Sequence, residues 1–391
     1  MKRNSIPLLA FLGLIFSIIS QMCSAQDTAR GDCVDISRVN LETRIGSICS
    51  SVYTEKHVSI ADRFNTLAFR PGLQDRGAVP KNHVPKKIFL KFTACNSADT
   101  PVTVYFCPGF YFTEIRLYRV NGVIPERIPD RLPAVPDRKG FRALTLVAGD
   151  TSTIIAELSF LKTYTNVIRP RLVNPLHITA FTDSIHRHYQ TSNLITFVFC
   201  GLMLMMILYS LSNFLQGAKR EFLYYSVYAL LLGGMLFLQS IMHLRYHAFS
   251  FFLESYLDFI MQGAGIIFYM FFMRRFLNTK EQHPFLYRLY NAGILILTGA
   301  LALYTVFHYF TDNFPLENGV ENTSKLFLLA MVLVFLVYSI RHWDDRLLRY
   351  LFWGNLFLFI FSMISQLGIL LNDSFRKLPG IFSSTLLYYE T

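Results

Sequence analysis

Hydrophobic residues follow two different rhythms along this chain. From Tyr189 onward they come in long apolar blocks separated by short polar loops: Ile195–Asn213, Phe222–Met242, Tyr256–Met273, Leu289–Phe310, Leu326–Ile340 and Leu351–Leu371. A helix needs about 20 mostly apolar residues to cross a bilayer's hydrocarbon core. Lipid offers no partner to an unpaired backbone group, so these blocks predict membrane-spanning helices. Leu326–Ile340 is short, and Ser324 and Lys325 extend it if the lysine snorkels to the interface. A soluble helical core does not fit, because six such blocks leave no polar faces to meet water.

Before Tyr189 the rhythm is short and alternating. Lys87–Thr93, Val102–Cys107, Tyr111–Val120, Phe141–Val147, Thr151–Phe160 and Leu172–Phe181 read as strands. Turn signals such as Pro108-Gly109, Asn121-Gly122 and Gly149-Asp150 separate them. Strands spaced this way predict an antiparallel sandwich or jelly roll. The expected fold class is therefore a multi-domain membrane protein, an exported all-β jelly-roll-like sandwich followed by an α-helical polytopic bundle. Its divisions are a signal peptide at 1–25, a sandwich sensor domain at 26–185 and a seven-span domain at 190–391.

The N-terminus sets the sandwich's compartment. Lys2 and Arg3 precede the apolar run Ile6–Ile19, and Cys23-Ser24-Ala25 offers a small-residue cleavage site before Gln26. The run is short for an uncleaved anchor. Loop charges give a separate test of orientation. Lys219, Arg220, Arg274, Arg275, Lys280, Arg288, Arg341, Arg346 and Arg349 lie in one set of loops. Arg245, Lys325, Arg376 and Lys377 lie in the other set, which includes an acidic, turn-rich loop at 311–325. Positive loops stay inside. The sandwich is therefore expected outside the cytosol, and the loop after the first span inside. The formal charge of +11 is spread rather than clustered on one element, which argues against nucleic-acid binding.

At the C-terminus, Leu378–Thr391 reads as the opening of a seventh span. Fourteen helical residues reach about 21 Å, short of the roughly 30 Å core. This predicts a chain cut within that span, or a re-entrant tail.

Four cysteines precede the membrane blocks: Cys33, Cys49, Cys95 and Cys107. An oxidising compartment makes them disulfide candidates. Cys95 and Cys107 flank consecutive strands and are expected to face each other, which leaves Cys33 with Cys49. The aromatic cluster Phe106, Phe110, Tyr111, Phe112 and Tyr118 suggests stacking on sugars, but core packing is the simpler reading. Within the membrane blocks, Glu254, Asp258 and Gln262 recur every four residues and share a helix face, with His243 and His247 close in sequence. Ionisable groups in a span are functional candidates by default, and these five suggest a proton- or metal-sensing cluster centred on Asp258. The bland alternative is that Glu254 and both histidines are interfacial and wet. Gln239, Asn291, Asn355 and Gln366 are expected to bond between helices, and Gly201, Gly233, Gly234, Gly263 and Gly265 to mark close packing. Nucleophile-elbow, zincin and phosphate-loop motifs are missing, so no catalytic residue, cofactor or resident metal is assigned.

Several stretches resemble a known family. ILYSLSNFLQGAKREFLYYSVYALLLGG, FFMRRFLNTKEQHPFLYRLYN (with Phe276-Leu277 and Pro284) and LPGIFSSTLLYYE are similar to the first hairpin, third-span exit and seventh-span opening of the bacterial 7TMR-DISM receptors. KIFLKFTACNSADTPVTVYF and IRLYRVNG resemble the family's extracellular type-2 domain, with Phe89 where that domain often has Trp. The resemblance implies a signalling receptor that takes a small, carbohydrate-like ligand on its exported domain. It also implies a histidine kinase, diguanylate cyclase or LytTR-type module after the seventh span, none of which is present. Expected partners are the bilayer, the ligand and, as one arrangement, a second copy in a homodimer. A transporter or transport subunit is the principal alternative, and an intramembrane enzyme using Asp258 is a weaker one.

Overall fold

A computed structural model describes residues 33–58, 60, 66–73, 77–121, 124–135, 137–188, 190–217 and 219–375. The expected signal segment at 1–25 and the expected seventh-span opening at 378–391 lie outside the described residues.

The first part is a two-sheet sandwich. Its strands are β1 (Val34–Asp35), β2 (Glu42–Arg44), β3 (Ser50–Thr54), β4 (Arg70–Pro71), β5 (Gly77–Ala78), β6 (Lys87–Cys95), β7 (Val102–Phe110), β8 (Phe112–Asn121), β9 (Ile124–Arg127), β10 (Arg142–Leu146), β11 (Thr151–Phe160) and β12 (Val167–Val173). One sheet runs β4-β3-β6-β11-β8-β9 with β1 added parallel to β6, and the other runs β10-β7-β12-β2 with β5 added to β12. Period-two alternation turns one face of each sheet inward. Phe92 of β6 and Phe106 of β7 stack across the gap at 5.7 Å, among the fully buried Leu90, Leu144, Leu146 and Leu158. Buried Asn96 ties two turns together. Its amide donates to the carbonyls of Thr100, Leu146 and Val147, and its oxygen accepts from Ala98 N–H. On the outer face, buried Glu157 accepts from Lys87 at 2.7 Å and from the Tyr118 hydroxyl at 2.8 Å. A buried charge needs such partners.

The cysteine pairing differs from expectation. Consecutive strands β6 and β7 lie in opposite sheets, so Cys95 and Cys107 share no ladder. Instead β1 pairs parallel to β6, setting Val34 opposite Ala94, and Cys33 bonds Cys95 with Cα atoms 6.0 Å apart. Cys49 and Cys107 are buried free thiols, and burial pushes both up to about 11, which keeps them protonated and unreactive. The expected strand Leu172–Phe181 is also corrected. β12 ends at Val173, Asn174 caps the following turn, and a linker helix runs Ile178–His188. Its Ile178, Phe181 and Ile185 fall at helical spacing and pack on Cys107, Val135 and Phe141.

Among the described residues, six helices follow that are long and apolar enough to cross a membrane: span 1 (Ser192–Leu215), span 2 (Glu221–Met242), span 3 (Ala248–Phe276), span 4 (Pro284–Phe310), span 5 (Phe314–Arg341) and span 6 (Arg346–Ile364). Consecutive spans pack on one another. The stretch 311–325 is not a loop. Asn313 caps a helix, Pro315 sits in its first turn, and span 5 begins at Phe314. Its polar residues therefore line a helix. Gly263 does mark close packing, since a Cβ there would come within 2.6 Å of Leu301, whereas Gly201 has nothing within 4 Å. Asn355 accepts from Tyr269 across two helices at 3.3 Å, as expected.

Candidate functional site: the junction of sandwich and bundle

The polar residues of span 3 meet the sandwich. The connection between β11 and β12, residues 161–166, forms a finger pointed at the bundle. Asn166, fully buried, shapes it by donating to the carbonyls of Leu161 at 2.8 Å and Thr163 at 2.6 Å. Its contacts are divided among three spans. Lys162 Nζ donates to the carbonyls of His308 at 2.8 Å and Thr311 at 2.6 Å, and to Glu317 at 3.1 Å. The end of a helix leaves carbonyls unpaired and carries partial negative charge, so a lysine suits the end of span 4. Thr163 and Thr165 hydroxyls donate to Glu254 Oε1 at 3.2 and 2.7 Å. Tyr164 at the tip stands within electrostatic range of Glu254, Asp258 and Glu321.

A second contact is built on strained backbone. Tyr111, between β7 and β8, has φ +65°, and Leu244, after span 2, has φ +58°. Left-handed conformations are costly for such side chains and persist where packing over-determines them. These two residues touch each other. Leu244 N–H donates to the Tyr111 hydroxyl at 3.3 Å, and both pack with Leu161. The same hydroxyl lies 3.4 Å from His243 Nδ1 and hydrogen-bonds Glu254.

The third contact runs the other way, from bundle to sandwich. Tyr246 inserts into the sandwich core and donates to the Gly109 carbonyl at 2.5 Å. Its N–H donates to Asp137, whose other oxygen sits 3.1 Å from His186 Nε2 on the linker helix. Burial alone would raise the Asp137 carboxyl. The bonds from His186 and Tyr246, with the charges of His186 and Arg245, outweigh it and hold the group below its usual range.

A family model for 7TM diverse intracellular signalling matches residues 192–386. The membrane region of this chain belongs to that family. Nothing among curated proteins matches the chain. The sandwich lies outside the matched residues.

The structure divides the five residues singled out from the sequence. Glu254 and Asp258 lie in and just after a π-helical turn, Leu253–Leu257, a distortion common at functional sites. Glu254 receives the finger, while Asp258 is bonded by Gln239 from span 2. Gln262 is one turn deeper on the same helix. His243 meets the group through Tyr111. His247 is exposed and caps the short helical start of span 3, its Nδ1 accepting from Phe249 N–H at 3.2 Å. The structure thus sets Glu254 and Asp258 side by side and links Glu254 to His243 through a sandwich tyrosine. Among the described residues, no group of three or more His, Cys, Asp or Glu is placed to hold a metal. Sequence reasoning missed Lys162, Thr163, Thr165, Asp137 and Tyr246, and read Tyr111 as part of an aromatic cluster rather than as a junction residue. The one signal available was a lone lysine in a Thr-rich turn between two strands.

Proposed function

We propose that this chain is a transmembrane receptor whose sandwich, on the exported side, binds a small, carbohydrate-like ligand and signals through the junction. The sandwich is of the family's type-2 extracellular kind, and the output is a cytosolic module reached through the seventh span. One observation carries the reading. A single turn of the sandwich contacts spans 3, 4 and 5 through Thr163, Thr165 and Lys162, so any shift of that turn relative to the bundle acts on several helices at once. Interfaces of this kind are bistable rather than continuously deformable, and a ligand biases them by binding one arrangement better. The π-turn and carboxylates of span 3 favour a second reading, a transporter whose sandwich gates access.

Hydrogen exchange on the full chain in lipid nanodiscs tests the receptor reading. Soluble oligosaccharides are screened first by intrinsic fluorescence. A sugar that binds should change exchange at residues 161–166 and around Leu253–Leu257. Binding that leaves both segments unchanged sinks the coupling. Solute flux into proteoliposomes that is lost on Asp258→Asn favours the transporter.

A further inference from the structure

Beside the junction, at the sandwich-side ends of spans 1 and 2, lies a cavity of about 180 Å3. That is smaller than the ~300–1,000 Å3 of drug-sized sites, and it suits a headgroup rather than a sugar chain. Its polar wall comes from three elements: His186 of the linker helix, Asn193 of span 1, and Ser240, His243 and Arg245 at and after the end of span 2. Phe197 supplies an apolar wall on span 1. Every polar side chain in that wall carries a hydrogen-bond donor, and no carboxylate lines the cavity. Ser240 Oγ is buried with no hydrogen-bond partner among the described residues. Such a group calls for an explanation.

The charges point the same way. Asp137 stands behind His186, 3.1 Å from Nε2, and fixes the ring against the cavity wall. Arg245, which is exposed, adds a fixed positive charge to the lining. A cavity lined by donors, with a guanidinium among them and one apolar wall, recognises an oxyanion attached to carbon. It also faces lipid. Phe197 is 40% exposed, and span 1 has only 6% of its apolar window buried.

We propose that this cavity binds a net-anionic phosphate headgroup, and that the bound phosphate clamps the sandwich to the bundle. The clamp follows from its walls. His186 holds Asp137, which holds Tyr246 N–H, and His243 holds the Tyr111 hydroxyl. Phosphate reaches the site from two sources, an anionic phospholipid entering beside span 1 or a soluble phosphate monoester from the aqueous side.

The test uses the full chain in nanodiscs. One arm compares phosphatidylcholine with a phosphatidylcholine–phosphatidylglycerol mixture and counts retained lipids by native mass spectrometry. A second arm adds glycerol 1-phosphate to phosphatidylcholine discs and follows hydrogen exchange over residues 240–246. Wild type should retain phosphatidylglycerol in preference to phosphatidylcholine, or be protected by glycerol 1-phosphate. The arm that responds identifies the source. Arg245→Gln changes an exposed side chain and should weaken the response roughly tenfold, the scale of one charge-assisted hydrogen bond. Ser240→Leu should abolish it by filling the cavity. Equal retention of the two lipids, together with no effect of glycerol 1-phosphate, overturns the proposal. So does an Arg245→Gln protein that responds as wild type does.

Discussion

The sandwich and the bundle treat the same side chains in opposite ways. In the sandwich, Leu144, Leu158 and Phe106 are wholly buried against the facing sheet. In span 1, Leu204 is 54% exposed and Met205 67% exposed, and even spans 3 and 5 bury only 28% of their apolar windows. Apolar burial from water organises the first region. In the second it cannot distinguish one helix face from another, because lipid tails are as apolar as leucine. Specificity there passes to close packing and to polar contacts between spans, such as Tyr304 donating to the Ser255 carbonyl at 2.9 Å and Tyr256 meeting Thr305 at 3.0 Å. The junction lies between the two regimes and uses both, with Tyr246 in an apolar core and Glu254 among hydroxyls.

Equal truncations should break this symmetry most strongly. Leu144→Ala should cost the sandwich about 2–5 kcal/mol, the range for a fully buried leucine. Leu204→Ala, facing lipid, should change stability by no more than about 0.5 kcal/mol, as for an exposed site. Chemical denaturation of both variants in nanodiscs checks the pair. Comparable losses would mean that span 1 is packed by protein rather than lipid.

A smaller effect should come from the point where the two regions interlock. A Cβ on Gly140 would lie 2.4 Å from Cε2 of Tyr246, with two further ring atoms within 2.9 Å. That ring is pinned by its hydroxyl on Gly109 and cannot swing aside. Gly140→Ala should therefore cost about 1–3 kcal/mol through overpacking and loosen docking, seen as faster hydrogen exchange across residues 161–166. Tyr246→Leu in the same chain should relieve the clash and lose the bond to Gly109. A Gly140→Ala protein that melts and exchanges as wild type would show that Tyr246 does not hold the domains together.

How much of this was legible in the sequence follows from the same contrast. The spans are visible because each satisfies its own backbone, so hydropathy and length suffice. The long strands β6, β7, β8, β10 and β11 are visible through alternation. The short strands β1, β2, β4 and β5 have two or three residues each and too little pattern to read. Missing β1 is what misled the cysteine pairing. Glu254 and Asp258 stood out because charge in a span is rare. Their partners did not, since Thr163 and Thr165 are ordinary turn residues until the sandwich is folded and docked. Span 5 was underestimated because Glu317, Asn318 and Glu321 look like loop, yet Glu317 meets Lys162 of the sandwich, Asn318 accepts from Asn322 and Glu321 meets Lys325 one helical turn on.

The smallest predicted effect asks whether docking responds to acid. Burial, and then the charge of nearby His186, lower the pKa of His243 below its ordinary value. A histidine so depressed is neutral when docked, while the released ring takes up a proton near its ordinary pKa of about 6.5. Docking stability from this group is complete above that value and erodes as pH falls toward the lower docked pKa. Asp137 behaves with the same sign in a separate window. Its depressed pKa stabilises docking above about 3.8, and that contribution is lost only as pH falls further. Exchange at residues 161–166 should therefore rise modestly between neutral pH and about pH 5. His243→Asn should flatten that rise without moving the lower transition. If the Asn variant keeps the full rise, the proton is taken up elsewhere on the sandwich side of the bundle, and the His186–Asp137 pair becomes the next group to replace.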